Sequence, residues 1–141
     1  MANDSGDFTR SMSIATSGLR AQAGRMRVIS ENIANADSTA PTSARDPYRR
    51  KVPTFSSALD RTLDAKVVTL GKVRSDQSAF RIKNEPGNPA ADAAGNVKYP
   101  NVNPLVEMTD MREAQRSYEA NINVISASRR MIQRTIEILK S

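Results

Sequence analysis

The chain has no cysteine, no histidine and no tryptophan. Without cysteine there is no disulfide to staple a small fold and no thiolate chemistry. Without histidine, the commonest general base near neutral pH and the commonest metal ligand are both missing. Aromatic residues are limited to three Tyr and three Phe, and hydrophobic residues make up 38% of the 141. A chain of that length suits a single domain, and one so poor in bulky apolar groups builds only a thin core. No stretch approaches the roughly 18 uninterrupted apolar residues of a membrane helix. Met1 to Asp7 offers neither a basic nor an apolar signal region, so an ordinary signal peptide is not expected.

What is present is unevenly distributed. The formal charge is +6, and residues 41–83, with ten basic and four acidic side chains, carry the whole excess. Both ends are close to balanced. The ends are also where the apolar residues become periodic. Phe8, Met12, Ala15, Leu19, Gln22, Met26, Ile29 and Ile33 step by four and three, laying one apolar stripe along a helix with a polar break at Gln22. Asp7 is a candidate N-cap, and the pattern stops at the breaker-rich run from Asn35 to Pro41.

The C-terminal stretch repeats the theme. Asn103-Pro104 is a helix start, since Asn caps free N–H groups and Pro is tolerated at the first helical position. Met108, Met111, Gln115, Tyr118, Ile122, Ile125, Arg129, Ile132, Ile136 and Leu139 then follow at three- and four-residue steps. Glu107, Asp110 and Glu113 near the start, with Arg129, Arg130, Arg134 and Lys140 near the end, suit the helix dipole. Between the helices, Lys66–Leu70 and Phe80–Lys83 read as short strands. Glu85-Pro86-Gly87-Asn88-Pro89 reads as turns, and Gly95-Asn96 and Tyr99-Pro100-Asn101 as further punctuation.

The expected fold is therefore mainly α. Residues 1–40 form an N-terminal helix and loop, 41–103 a basic, β-rich or irregular insert, and 104–141 a long C-terminal helix. The two terminal helices are expected to pack as a coiled coil. Two partners for the narrow seams remain open: the helices can pair within one chain, or against other copies. Gly18 and Gly24 weaken the N-terminal helix by about 1 kcal/mol each relative to Ala. That weakness favours a segment ordered by neighbours, with Ala15, Gly18, Ala21 and Gly24 permitting close approach. Ends that fold only against other copies make a head-to-tail interface, which generates a filament or tube.

The run Ser30-Glu31-Asn32-Ile33-Ala34-Asn35-Ala36-Asp37-Ser38-Thr39, preceded by Ser17-Gly18-Leu19-Arg20-Ala21-Gln22, resembles the N-terminal signature of the flagellar rod and hook family. The stretch from Glu85-Pro86-Gly87-Asn88-Pro89 through Tyr99-Pro100-Asn101-Val102-Asn103 to Arg116-Ser117-Tyr118-Glu119-Ala120-Asn121 is similar to its proximal-rod members. The chain departs from the pattern at Ala40 to Pro47, which lengthens a loop, and at Pro104. The resemblance implies a structural subunit exported unfolded through the flagellar type III apparatus without a cleaved signal peptide. It implies assembly in the periplasm with copies of itself and other rod proteins, above the membrane ring, as a hollow torque-transmitting shaft. Terminal helices would form the inner tube and the insert the outer layer.

Assembly contacts are expected at Leu19, Met26, Ile29, Ile33, Met108, Met111, Tyr118, Ile122, Ile125, Ile132, Ile136 and Leu139. Asn32 and Asn35 are expected to hydrogen-bond at the helix exit, either as ordinary C-terminal punctuation or between subunits. Arg49, Arg50 and Lys51 are assigned to outer-surface contacts with acidic ring or rod neighbours or with anionic peptidoglycan. No catalytic, cofactor or metal site is expected. Without histidine a Ser-His-Asp triad is impossible, and no Ser-x-x-Lys pair is present. Asp60/Asp64 and Asp110/Glu113 have the spacing of a solvated helix face rather than of glycosidase carboxylates. The basic middle could also be the footprint of a DNA-binding protein, but Tyr48, Phe55 and Phe80 are sparse and no recognition motif surrounds them, so nucleic acid is not the expected partner.

Overall fold

The two capping signals at the inner ends of the helices set what lies between them. Asn103 accepts the Leu105 N–H on Oδ1 at 3.1 Å and the Glu107 N–H on its carbonyl at 3.1 Å, and Pro104 fills the first helical position. At the other inner end, Asn35 Nδ2 donates to the Glu31 carbonyl at 2.8 Å, and Arg81 Nη2 donates to the Ala36 carbonyl at 2.6 Å. A guanidinium there also suits the negative end of the helix dipole.

The computed structural model describes the backbone of residues 2–140 and the side chains of residues 6–140. Its elements are α1 Ala2–Ala34, β1 Lys51–Val52, β2 Phe55–Asp60, β3 Ala65–Leu70, β4 Arg74–Ser75, β5 Arg81–Asn84, β6 Asn96–Tyr99 and α2 Pro104–Lys140. The strands form three antiparallel pairs, β1 with β4, β2 with β3 and β5 with β6. The chain is thus mainly helical, with small antiparallel sheets in the middle. Asp7 lies inside α1 rather than capping it.

Four strands were not expected from the sequence: the two-residue β1 and β4, and the longer β2 and β6. β2 contains Ser56 and Ser57, poor strand formers, yet pairs along its whole length with the β-branched β3, Phe55 opposite Leu70 and Asp60 opposite Ala65. β6 occupies residues read as punctuation. Val97 and Tyr99 are buried on one face while Lys98 is exposed, a period-two alternation that the flanking Gly95 and Pro100 obscure.

The chain divides into two compact units, and each helix contributes to both. The first comprises Met1–Met26, Thr54–Lys72 and Glu113–Ser141. Here α1 and α2 run antiparallel, with Arg25 paired to Glu113 at 3.5 Å. A Cβ at Gly18 would stand 2.9 Å from Asn121 Nδ2, and one at Gly24 would stand 2.6 Å from Leu70 Cδ2. The two glycines are close-approach positions against α2 and β3 of the same chain. Along the described α1 stripe no member is exposed: Ala15 and Ile29 are buried and the others half-buried.

The second unit comprises Arg27–Pro53 and Val73–Arg112. Ala90, Val97 and Tyr99 form its small apolar cluster, with Ala91 packed against it. The β5–β6 connection turns twice: Asn88 N–H donates to the Glu85 carbonyl at 3.0 Å, and Gly95 N–H to the Asp92 carbonyl at 2.9 Å. Gly95 has φ +81°, the left-handed region that a Cβ penalises. Gly95→Ala is expected to lower the unfolding free energy of the full chain by about 1–2 kcal/mol, read from chemical denaturation.

Candidate functional site

Asn32, on the last turns of α1, is fully buried in the second unit. It is a C-terminal helix residue with four hydrogen-bonding sites, and all four are used inside the chain. Its Nδ2 donates to the Lys51 carbonyl at 2.8 Å and to Glu107 Oε2 at 3.0 Å. Its Oδ1 accepts from Tyr48 Oη at 2.8 Å and from the Lys51 N–H at 2.9 Å. The side chain thereby pins Tyr48 and Lys51, at the entry to β1, to both helices.

Glu107, only 1% exposed, is the charged centre of the same cluster. Arg50 Nε donates to its Oε1 at 2.6 Å, and the Arg50 guanidinium also lies 3.6 Å from Asp76 and 3.8 Å from Asp110. Burial pushes the Arg50 guanidinium down, but the bond to Glu107 and the charges of Glu107, Asp76 and Asp110 outweigh it and hold its pKa above the ordinary value. Asp76 is held below the usual carboxylate range by the Ser78 N–H and hydroxyl, helped by Arg50. The Tyr48 phenol is pushed from 10.0 to about 12, first by burial and then by the charges of Glu31 and Glu107. Asn101 completes the cluster, accepting the Arg50 N–H at 2.8 Å and donating to the Asp76 carbonyl at 3.0 Å.

The three cations assigned to outer-surface contacts are therefore engaged internally. Arg50 is paired with Glu107, and Lys51 Nζ is paired with Glu31. Arg49 stacks on the Phe80 ring, 4.2 Å from its centroid, and donates to the Asp76 and Ser78 carbonyls at 3.2 Å each. Their partners, carboxylates for Arg50 and Lys51 and a ring with two carbonyls for Arg49, lie far along the sequence, which is why a run of three cations reads as a solvated face. The available signal was the period-seven line Glu107, Ala114, Asn121, Ser128, where a carboxylate heads a row of small residues.

That line marks the face of α2 that turns inward. Glu107, Ala114 and Ser128 are buried, and Met111, Tyr118, Asn121, Ile125 and Ile132 are half-buried beside them. The parallel line expected in the same seam is instead exposed: Met108 at 52%, Ile122 at 41% and Ile136 at 47%, with Leu139 at 70%. The inward face is rotated by one residue because Ala114, Asn121 and Ser128 are small enough to let the helix approach closely. The bulkier Met108, Ile122 and Ile136 are left on the outside, with Val124 and Met131 also exposed.

Of the other expected contact residues, Leu19, Met26, Ile33 and Asn35 are half-buried, and Ile29 is buried within the chain. Asn35 makes a local bond to its own helix. Ile29 and Asn32 thus have their surfaces covered internally, and the exposed part of the expected set lies on α2.

Glu107→Ala leaves the buried Asn32 Nδ2 without one acceptor and Arg50 with only the longer pairs to Asp76 and Asp110, so it is expected to cost about 1–3 kcal/mol of unfolding free energy, measured in urea. Tyr48 gives an alkaline signature. Its folded pKa lies above the unfolded one, so its contribution is full below pH 10.0 and is lost as pH rises toward about 12. Tyr48→Phe is expected to flatten the alkaline limb of the stability profile across that window.

The family models bear on both ends of the chain. One described as "Flagella basal body rod protein" matches residues 12–40. Another, "Flagellar basal body rod FlgEFG protein C-terminal", matches residues 93–138. The flagellar basal-body rod protein FlgC of Agrobacterium fabrum is 52% identical over 128 residues, covering 91% of this chain and 92% of that protein. FlgC of Bacillus subtilis is 37% identical, covering 92% and 97%. FlgC of Salmonella typhimurium is 38% identical, covering 89% and 92%. The segments that carry these likenesses include those that meet around Asn32 and Glu107, and the chain belongs to the FlgC family of flagellar basal-body rod proteins.

Proposed function

We propose that this rod subunit polymerises with copies of itself and with sister rod proteins into the proximal segment of a hollow, torque-transmitting shaft. Residues 1–40 and 104–141 supply an inner coiled-coil layer, and residues 41–103 the outer one. The subunit travels through the flagellar type III export apparatus, assembles in the periplasm on the membrane ring, and does no chemistry of its own.

The observation that carries this reading is the second apolar line on α2. Met108, Ile122 and Ile136 are exposed on a helix whose other apolar line, Met111, Tyr118, Ile125 and Ile132, is half-buried. A helix with two apolar lines and one internal partner has room for a second helix on the uncovered side. Burial there contributes roughly 25 cal/mol per Å² of apolar area, which accumulates along a helix of this length. Rigidity of the assembled shaft follows from interdigitated side chains packed as tightly as a protein interior.

Because Met108 and Ile122 are exposed in the single chain, Met108→Ser with Ile122→Ser is expected to change its stability by less than about 0.5 kcal/mol. Incorporation into isolated basal bodies and swimming in soft agar should both be lost. Normal incorporation of that double variant would count against the α2 face as the assembly surface.

A further inference from the structure

The first unit contains a groove of about 440 Å³ between α1 and the β2–β3 hairpin. Ser13, Ser17 and Arg20 line it from α1, and Asp60, Leu63 and Leu70 from the hairpin. Its floor is largely apolar, but it holds one charge of each sign. Arg20 is exposed and has no carboxylate partner among the described residues. Asp60 Oδ1 accepts the Thr62 N–H at 2.9 Å and the Leu63 N–H at 3.4 Å, an Asx turn made through one carboxylate oxygen.

The last described turns of α2 carry the complementary set. Ile136 and Leu139 are exposed and lie at helical spacing of three, with Glu137 and Lys140, also three apart, beside them. Neither charge has an ion-pair partner among the described residues. A ridge of two aliphatic side chains flanked by an anion and a cation matches a groove with an apolar floor, a cation and an anion.

The tip cannot reach the groove of its own chain. Gly18 of α1 lies beside Asn121 of α2. Glu137 is sixteen residues further along α2, so it stands roughly 24 Å beyond that level at 1.5 Å per residue. Only another molecule displaced along the helix direction can bring such a tip to the groove.

We infer that residues 136–140 of a second copy of this chain dock in the groove between α1 and the β2–β3 hairpin, pairing Glu137 with Arg20 and Lys140 with Asp60. The inference rests on the rod-subunit reading and adds to it a named head-to-tail contact. Such a contact uses different surfaces on the two copies, so it propagates rather than closing as an isologous dimer does.

The test uses full-length variants in cells lacking the native chain, with basal bodies isolated and the chain quantified in them. Arg20→Glu alone and Glu137→Arg alone each place like charges together, and each is expected to reduce incorporation about tenfold. The double variant restores the opposite-sign pair and is expected to recover incorporation to within about twofold. Single variants that incorporate normally would overturn the contact. So would a double variant that remains low, which is the result expected if a sister subunit occupies the groove. Because the chain has no cysteine, a second readout is available in two co-expressed, differently tagged copies, one carrying Leu63→Cys and the other Ile136→Cys. A disulfide-linked pair of the two tags is expected in isolated basal bodies, and its absence from bodies containing both tags overturns the contact. Absence of the unaltered chain from basal bodies would instead sink the rod reading, and the contact with it.

Discussion

A carboxylate cannot be taken out of water without partners, and Glu107 is out of water. One polar cluster of the second unit is arranged around that constraint. Arg50 supplies the counter-charge, Asn32 a donor to the other carboxylate oxygen, and Tyr48 and Lys51 satisfy the acceptor that Asn32 presents in turn. Because these residues come from α1, from the segment before β1 and from α2, no one of them can be satisfied until the others are in place. An ion pair of this kind adds little net stability over an apolar core, but half of it is expensive to leave behind. The cluster therefore acts as a condition on the fold: either the segments meet correctly or a buried charge stands alone.

The buried face of α2 runs on from Glu107. With Glu107 fixed against Arg50 and Asn32, the small residues Ala114, Asn121 and Ser128 continue its line at intervals of seven. The bulkier Met108, Ile122 and Ile136 are rotated to the outside. A helix chosen only by hydrophobicity would have buried the larger side chains, since burial scales with apolar area. This one half-buries Met111, Tyr118, Ile125 and Ile132 and leaves Met108, Ile122 and Ile136 exposed. The glycines of α1 fit the same arrangement, because Gly18 and Gly24 surrender helix propensity for contact with Asn121 and Leu70.

Much of the architecture was legible from local chemistry. Asn103-Pro104 marks the start of α2, the Asn35–Pro41 run marks the end of α1, and β3 and β5 lie within a residue or two of the β-branched and alternating stretches that announce them. Three things were not legible, each for a physical reason. β2 draws its stability from pairing with β3 rather than from its own Ser-rich sequence. The one-residue rotation of α2 depends on close approach by small residues, which a hydrophobicity pattern ignores. The roles of Arg49, Arg50 and Lys51 depend on carboxylates and a ring distant in sequence, so their charge alone pointed outward while their partners hold them in.

The buried cluster also restricts sliding, which matters for a helix with so repetitive a pattern. Moving α2 by one heptad would bring Ala114 to the place of Glu107, and the apolar positions Met111, Tyr118, Ile125 and Ile132 would still find apolar neighbours. Hydrophobic packing alone discriminates weakly between such registers, because each offers similar apolar burial. The slipped register would leave Arg50 with Asp76 alone and Asn32 with an unused donor, a cost of about 1–3 kcal/mol from the buried unsatisfied group. One buried carboxylate thus sets the register that packing leaves degenerate, as a single polar residue does in the seam of a helix pair. That selection matters more to the fold than the modest stability the ion pair adds.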